Sequence, residues 1–341
     1  MTLLVTVIVF GLLIFIHELG HFLVAKRAGV LVHEFALGFG PRIYSFRRQE
    51  TEYSLRAVPL GGFVRMAGMH PKEEDLENID RRRWFLNKSI GQRMGIIVAG
   101  PLMNFVLAAV LFAGIFGVIG VASPTLEIEM IQPGYPADEA GLQPGDEIRS
   151  IDGVTVTHWD ELVAMVQDSP NEPLEFVVDR GNESISMTMT PDQRPDGRGV
   201  IGIQPAMVTQ RAGPGTAVAE GVLWTGRIVG AFFEAIGLMI SGQGGADVVG
   251  PVGIGQHIGE ATRTGLPNLV FLAALLSANL GLINLLPIPP LDGSRLIFMF
   301  WEMVRGRPVD PEKEGLVHFI GFALLLMLAI FITYRDILRL T

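Results

Sequence analysis

Residues 3–25 read LLVTVIVFGLLIFIHELGHFLVA, and no charged side chain interrupts the stretch from Leu3 to Ile16. An apolar run of this length is expected to cross a membrane as a helix, because a helix satisfies its own backbone groups in hydrocarbon. Two imidazoles and a carboxylate, His17, Glu18 and His21, stand toward its far end. Polar side chains at such depth are costly unless paired or coordinated, so the cluster points to function rather than packing. A cleaved leader would place positive charge before the run and a small-residue cleavage site after it. Here Lys26-Arg27 follow the run instead, which predicts a retained span with its N-terminus outside.

The rest of the chain extends this membrane reading. Of 341 residues, 49% are hydrophobic and only 18% charged, and the absence of cysteine excludes disulfides, thiolate metal sites and a cysteine nucleophile. Further spans are expected over about Gly95–Val121, Asn268–Leu286 and Leu316–Thr333, making four transmembrane helices. The stretch Gly221–Ile240 carries Arg227 and Glu234 and reads as an amphipathic interfacial helix. The net charge of −9 is segregated: thirteen Lys/Arg lie between Lys26 and Arg93, whereas Leu126–Thr190 holds fourteen Asp/Glu against Arg149 and Arg180. The basic block is expected in the cytosol and the acidic block outside. A nucleic-acid surface is disfavoured, because the basic block sits directly between two spans.

Two segments between spans read as β-rich. Residues 32–68 are glycine-punctuated, with Thr51–Val58 alternating, and fit either a membrane-associated hairpin or a plain cytosolic one. Residues 125–205 read as an α+β domain. Leu126–Ile131 is a strand candidate, and Asp152-Gly153 marks a tight turn between Glu147–Ile151 and Val154–Val156. Thr157 with Asp160 predicts a capped helix start, and Leu174–Asp179 pairs with Ser184–Thr190. The organisation expected is 1–121 for the first two spans and hairpin, 122–210 for the inserted domain, 211–260 for an amphipathic linker region, and 261–341 for the last two spans.

On a helix, His17 and His21 share one face and could hold one metal ion, with Glu18 beside them as a base that is not a ligand. A hydrolytic zinc site usually takes three protein ligands. Asp292, just past Pro287, Pro289 and Pro290, is the best third candidate, because it and His17 both fall near the cytosolic ends of spans running in the same direction. A plain helix-capping role for Asp292 is the alternative. His33, His70, His158, His257 and His318 lack ligand spacing.

These motifs together resemble the bacterial site-2 protease family, the RseP-like, PDZ-containing intramembrane zinc metalloproteases. The matching residues are His17-Glu18-Leu19-Gly20-His21, Gly100-Pro101-Leu102-Met103-Asn104, Gly250-Pro251-Val252-Gly253-Ile254 and Asn284 through Gly293, whose order covers nearly the whole chain. The resemblance implies a polytopic α-helical membrane protein with a membrane-re-entrant β-hairpin and an inserted PDZ domain. It implies zinc bound by His17, His21 and Asp292, with Glu18 as general base and Asn284 holding an unwound substrate backbone. The reaction implied is cleavage in or beside transmembrane segments of membrane proteins, such as anti-sigma factors or signal-peptide remnants. The setting implied is a bacterial inner membrane, in contact with lipid and with the PDZ domain extracytoplasmic. Asn104 could equally be a helix–helix hydrogen-bonding residue.

Ala140 through Ile148 and Ile151-Asp152-Gly153 carry the PDZ likeness, and Val200–Ile203 could be its carboxylate-binding loop. The domain could capture peptide ends or act as a size filter. Only one such domain fits where several relatives have two, and Ser294 stands where a second glycine is common. Rival readings are a catalytically silent membrane PDZ adaptor and a zinc transporter. The first is opposed by the complete candidate ligand set and base, the second by the lack of a continuous polar path.

Overall fold

The computed structural model describes residues 1–69, 79–242, 250–307 and 309–338, so His70 lies outside the described residues. The chain forms two compact units, one of residues 1–119 with 213–341 and the other of residues 120–212.

The first unit begins with α1 (Thr2–Arg27), closed by Lys26 and Arg27 in its last turn, where cations favour the helix dipole. Its buried residues are Val9, Leu13, His17, Gly20, His21 and Ala25, a single stripe at helical spacing. The motif histidines therefore face inward, although the helix is apolar all round. The paired segments β1 (Val32–Arg48) and β2 (Thr51–Met66) follow. Antiparallel pairing runs from Arg48↔Thr51 to Arg42↔Arg56, and again from Glu34↔Arg65 to Leu37↔Gly62. Residues 34–37 also stand beside 52–55, from Glu34↔Glu52 to Leu37↔Leu55. The middle of the stretch Thr51–Val58, residues 52–55, thus has neighbours on both sides, and the borders left open among the described residues are 42–48 and 62–66.

Helix α2 (Ile90–Gly114) starts at a Ser89/Gln92 capping box and buries Arg93, Ile97, Gly100, Asn104, Ala108 and Phe112. Arg93, expected to mark the start of this span, is buried against Glu302 at 2.6 Å. Helices α3 (Pro136–Glu139) and α4 (Trp159–Asp168) belong to the second unit, and past it come α5 (Pro214–Ile240), α6 (Pro251–Thr264), α7 (Leu266–Leu285), α8 (Asp292–Arg305) and α9 (Pro311–Leu338). The helices of the first unit cross at small residues. A Cβ on Gly20 would strike the Ala99 carbonyl, one on Gly221 the Ala109 carbonyl, and one on Gly321 the Pro289 carbonyl. Close backbone approach is how helices associate where lipid removes the hydrophobic driving force. The α6 N-terminus is capped by the buried Asp336 of α9, which accepts from Gly250 N–H at 3.2 Å and Gly253 N–H at 2.9 Å.

Among the described residues, five helices are long and apolar enough to cross a membrane: Thr2–Arg27, Ile90–Ile119, Pro214–Met239, Leu266–Leu285 and Glu312–Leu338. The additional one covers all but the last residue of Gly221–Ile240, the stretch expected to be amphipathic. At 1.4 it has the lowest mean hydropathy of the five, and its Arg227 lies over Trp224 at 5.4 Å.

In the second unit β3 (Val121–Ile131), β4 (Glu147–Ile151), β5 (Val154–Thr155), β6 (Leu174–Arg180), β7 (Glu183–Met189) and β10 (Ile203–Gln210) form one sheet, ordered β10-β3-β4-β6-β7 with β5 on β4. The short pair β8 (Asp192–Gln193) and β9 (Gly199–Val200) stands apart. Asp152 and Gly153 both adopt positive φ, 49° and 75°, as the tight turn between β4 and β5 requires. Helix α4 begins one residue away from the expected cap. Glu161, not Asp160, accepts from the backbone N–H of Thr157 at 2.9 Å and of His158 at 3.2 Å.

Candidate active site

Three donor atoms converge inside the first unit. His17 Nε2 lies 3.0 Å and His21 Nε2 3.2 Å from Asp292 Oδ2, and the two ring nitrogens are 3.2 Å apart. The helical spacing of α1 brings the imidazoles together, and the first turn of α8 brings Asp292 from 275 residues away. Backbone contacts fix that turn. A Cβ on Gly293 would meet the Leu285 and Leu286 carbonyls at the end of α7, so α8 starts hard against the preceding helix. Ser294, standing where a second glycine is common in relatives, is buried and donates its hydroxyl to the Leu291 carbonyl at 2.7 Å.

The donor set suits zinc. Four ligands at about 2.0–2.1 Å in a tetrahedron have edges of about 3.3 Å, close to the triangle seen here. His21 donates its Nδ1–H to the Ile96 carbonyl at 2.8 Å, which leaves a lone pair on the Nε2 that faces the other two donors. Among the described residues, His17, His21 and Asp292 are the one group of three that could hold a metal ion.

Glu18 lines the same cleft, together with Phe63, Val64, Met66, Asn284, Pro290 and Arg295. Asn284 sits on α7 and donates its amide to the Leu280 carbonyl one turn back, at 3.0 Å. His158 caps α4, and His318 lies 3.6 Å from Glu314, so neither joins the cluster. In the second unit, Val200, Ile201, Gly202 and Ile203 line a small cavity of about 140 Å³ against α4, with Arg194 at its wall.

Two features of the site were not read from the sequence. Gly62 had been noted only as turn punctuation, but a Cβ there would lie 3.1 Å from Glu18 Cγ and 3.0 Å from the Ala36 carbonyl. Glycine lets residues 62–66 run beside the carboxylate. Gly100 does the same for the two histidines, since a Cβ there would collide with His21 and come within 2.9 Å of His17 Nε2. The glycines themselves are visible in the sequence, but nothing local says what they approach.

A single helix presenting two imidazoles and a glutamate, completed by a distant aspartate within a bundle of membrane-spanning length, defines a metallopeptidase built inside a membrane. Residues 5–328 match the model of peptidase family M50, and the chain belongs to that family. It is similar to the zinc metalloprotease RasP of Geobacillus kaustophilus, at 37% identity over 97% of this chain and 96% of that protein. It is also similar to the regulator of sigma-W protease RasP of Bacillus subtilis, at 34% identity over 99% of each. One solved structure, the PDZ domain of an SdrC-like protein (Lmo2051) from Listeria monocytogenes, matches 25% of this chain and 92% of its own at 18% identity and a TM-score of 0.23. The chain is a zinc metalloprotease of the intramembrane kind.

Proposed function

We propose that this protease cuts peptide bonds in or next to transmembrane segments of other membrane proteins, with His17, His21 and Asp292 holding zinc and Glu18 acting as general base. The observation that carries this reading is the convergence of three donor atoms within 4.8 Å of one another in a cleft that Glu18 also lines. Bound there, zinc supplies Lewis acidity toward a carbonyl and makes water a better nucleophile near neutral pH. Glu18 takes the proton from the attacking water and returns it to the leaving amine. Asn284, which lines the same cleft, offers its amide to a substrate backbone.

A transmembrane helix hides its carbonyls, so the scissile segment must become extended before it is cut. Of the two open borders, residues 62–66 run beside Glu18 and can pair with such a segment. The charge segregation supports an extracytoplasmic PDZ-like unit in a bacterial plasma membrane. There it screens substrates by size or captures their ends. The regulator of sigma-W protease among the relatives makes membrane-bound regulators of sigma factors a first substrate class to try.

The test measures zinc content and cleavage of a model transmembrane substrate on the same preparations. Glu18→Gln should keep zinc and lose about 10²–10⁴-fold or more in turnover. Asp292→Ala should lose both zinc and activity, because two histidines alone make a poor zinc site. Near-normal cleavage by Glu18→Gln would remove the reading.

A further inference from the structure

We propose that Asn104 decides which nitrogen of His17 carries the ring hydrogen, and so holds that imidazole in its metal-binding form. The inference rests on the ligand set proposed above. Asn104 lies on α2 with 0% of its surface exposed. Its amide stands 3.2 Å from His17 Nδ1, and its Oδ1 has no hydrogen-bond partner. A buried polar atom left unpaired is destabilising, so adhesion between helices does not account for an asparagine here. A leucine of similar size would pack without that cost.

The second ligand shows what the first requires. His21 has the Ile96 carbonyl behind its Nδ1, and this acceptor keeps the lone pair on Nε2. His17 presents the same atom, Nε2, to Asp292, but the group behind its Nδ1 is the Asn104 amide. For His17 Nε2 to offer a lone pair, Nδ1 must carry the hydrogen and the amide must turn its oxygen to the ring. The two ends of an amide have nearly the same shape, so a half-turn about the last side-chain bond achieves this in place. With the amide nitrogen toward the ring, Nδ1 accepts, Nε2 carries the hydrogen and points it at Asp292, and the ring cannot ligate. Asn104 is therefore a positioning residue with two settings, one for the loaded site and one for the empty site. The Ser277 hydroxyl, donated to the Asn104 backbone carbonyl at 2.8 Å, ties this level of α2 to α7.

The test uses the full chain in detergent, with Asn104→Leu and Asn104→Asp beside the unaltered protein. Zinc affinity is measured by chelator competition, the metal-free form by thermal melting, and the geometry of the site by the visible spectrum after cobalt substitution. Asn104→Leu should melt no lower than the unaltered metal-free protein, yet bind zinc about 10–100-fold more weakly, with an altered cobalt spectrum. Asn104→Asp keeps an acceptor facing Nδ1 and should restore most of that affinity. Wild-type zinc affinity and cobalt spectrum in Asn104→Leu would overturn the inference while leaving the ligand set intact. So would a parallel fall in melting and affinity in both variants, which would mark a packing residue. Failure of the unaltered protein to bind zinc would overturn the ligand set and this inference together.

Discussion

Within residues 120–212 the interior is that of a water-soluble domain, with Ile128, Ile148, Ile151, Leu162, Phe176, Val178 and Met189 in one apolar cluster. Its buried carboxylate, Asp146, is engaged by Arg180 at 2.7 Å and by the Gln143 backbone N–H at 2.8 Å. The helical unit is arranged the other way. Leu3, Phe319, Leu324 and Phe331 face outward, whereas His17, His21, Asn104, Ser277, Ser294 and Arg93 are buried. Apolar burial stabilises the first arrangement against water. In the second the surroundings are as apolar as the side chains, and close backbone approach at glycine takes over. The helical unit therefore holds its candidate metal donors beside structural polar contacts such as Arg93–Glu302, while in residues 120–212 the buried carboxylate marks a stabilising pair.

That contrast can be broken by single substitutions. The largest effect is expected at Gly100, where an added methyl collides with His21. Gly100→Ala should abolish zinc binding and turnover while leaving the melting of residues 120–212 unchanged. Loss of that domain's transition as well would show that the two units do not fold separately. Phe176→Ala should do the reverse, costing the domain about 3–5 kcal/mol while zinc content stays at the unaltered level. Differential scanning calorimetry beside metal analysis reads both variants.

The smallest effect sharpens the role of paired charge. Burial pushes the Asp146 carboxyl upward, but Arg180 and the Gln143 N–H outweigh it and hold it below the usual carboxylate range. A carboxyl with a lowered folded value adds stability that is fully present above its unfolded value of about 4 and fades as the pH falls through the folded value. Asp146→Asn should cost about 1.5–3 kcal/mol at neutral pH and flatten the acid side of the domain's melting curve. An unchanged acid limb in the variant would assign that limb to other carboxylates.

The legible parts of this molecule were those written in local spacing. The four-residue step from His17 to His21 places two imidazoles on one helix face, and Asp152-Gly153 specifies its turn through backbone sterics alone. Asp292 was reachable because charge asymmetry orients spans and so matches depths. Contacts across sequence were not legible. The Arg93–Glu302 pair joins residues 209 apart, and the Asn104–His17 contact joins residues 87 apart. Neither partner's neighbours announce the other. The alternation of Thr51–Val58 shows in the same way that a strand has two faces, but not whether its edges are occupied. In α5 the two charged residues suggested an interfacial helix, although its length and hydropathy also suffice for a span.

The separation between His17 and Asp292 also has a meaning in time. A ribosome adding about 5–20 residues per second delivers the aspartate roughly 15–55 s after the histidines. During that interval the growing chain holds two imidazoles and a base but no third donor, so it enters the bilayer as a blade without an edge. Nascent chains halted before Leu291 should therefore retain zinc poorly in a chelator-competition assay, and tight retention would show that an earlier residue completes the site. On the proposed ligand set, the site of this protease stays incomplete until its own insertion is nearly finished.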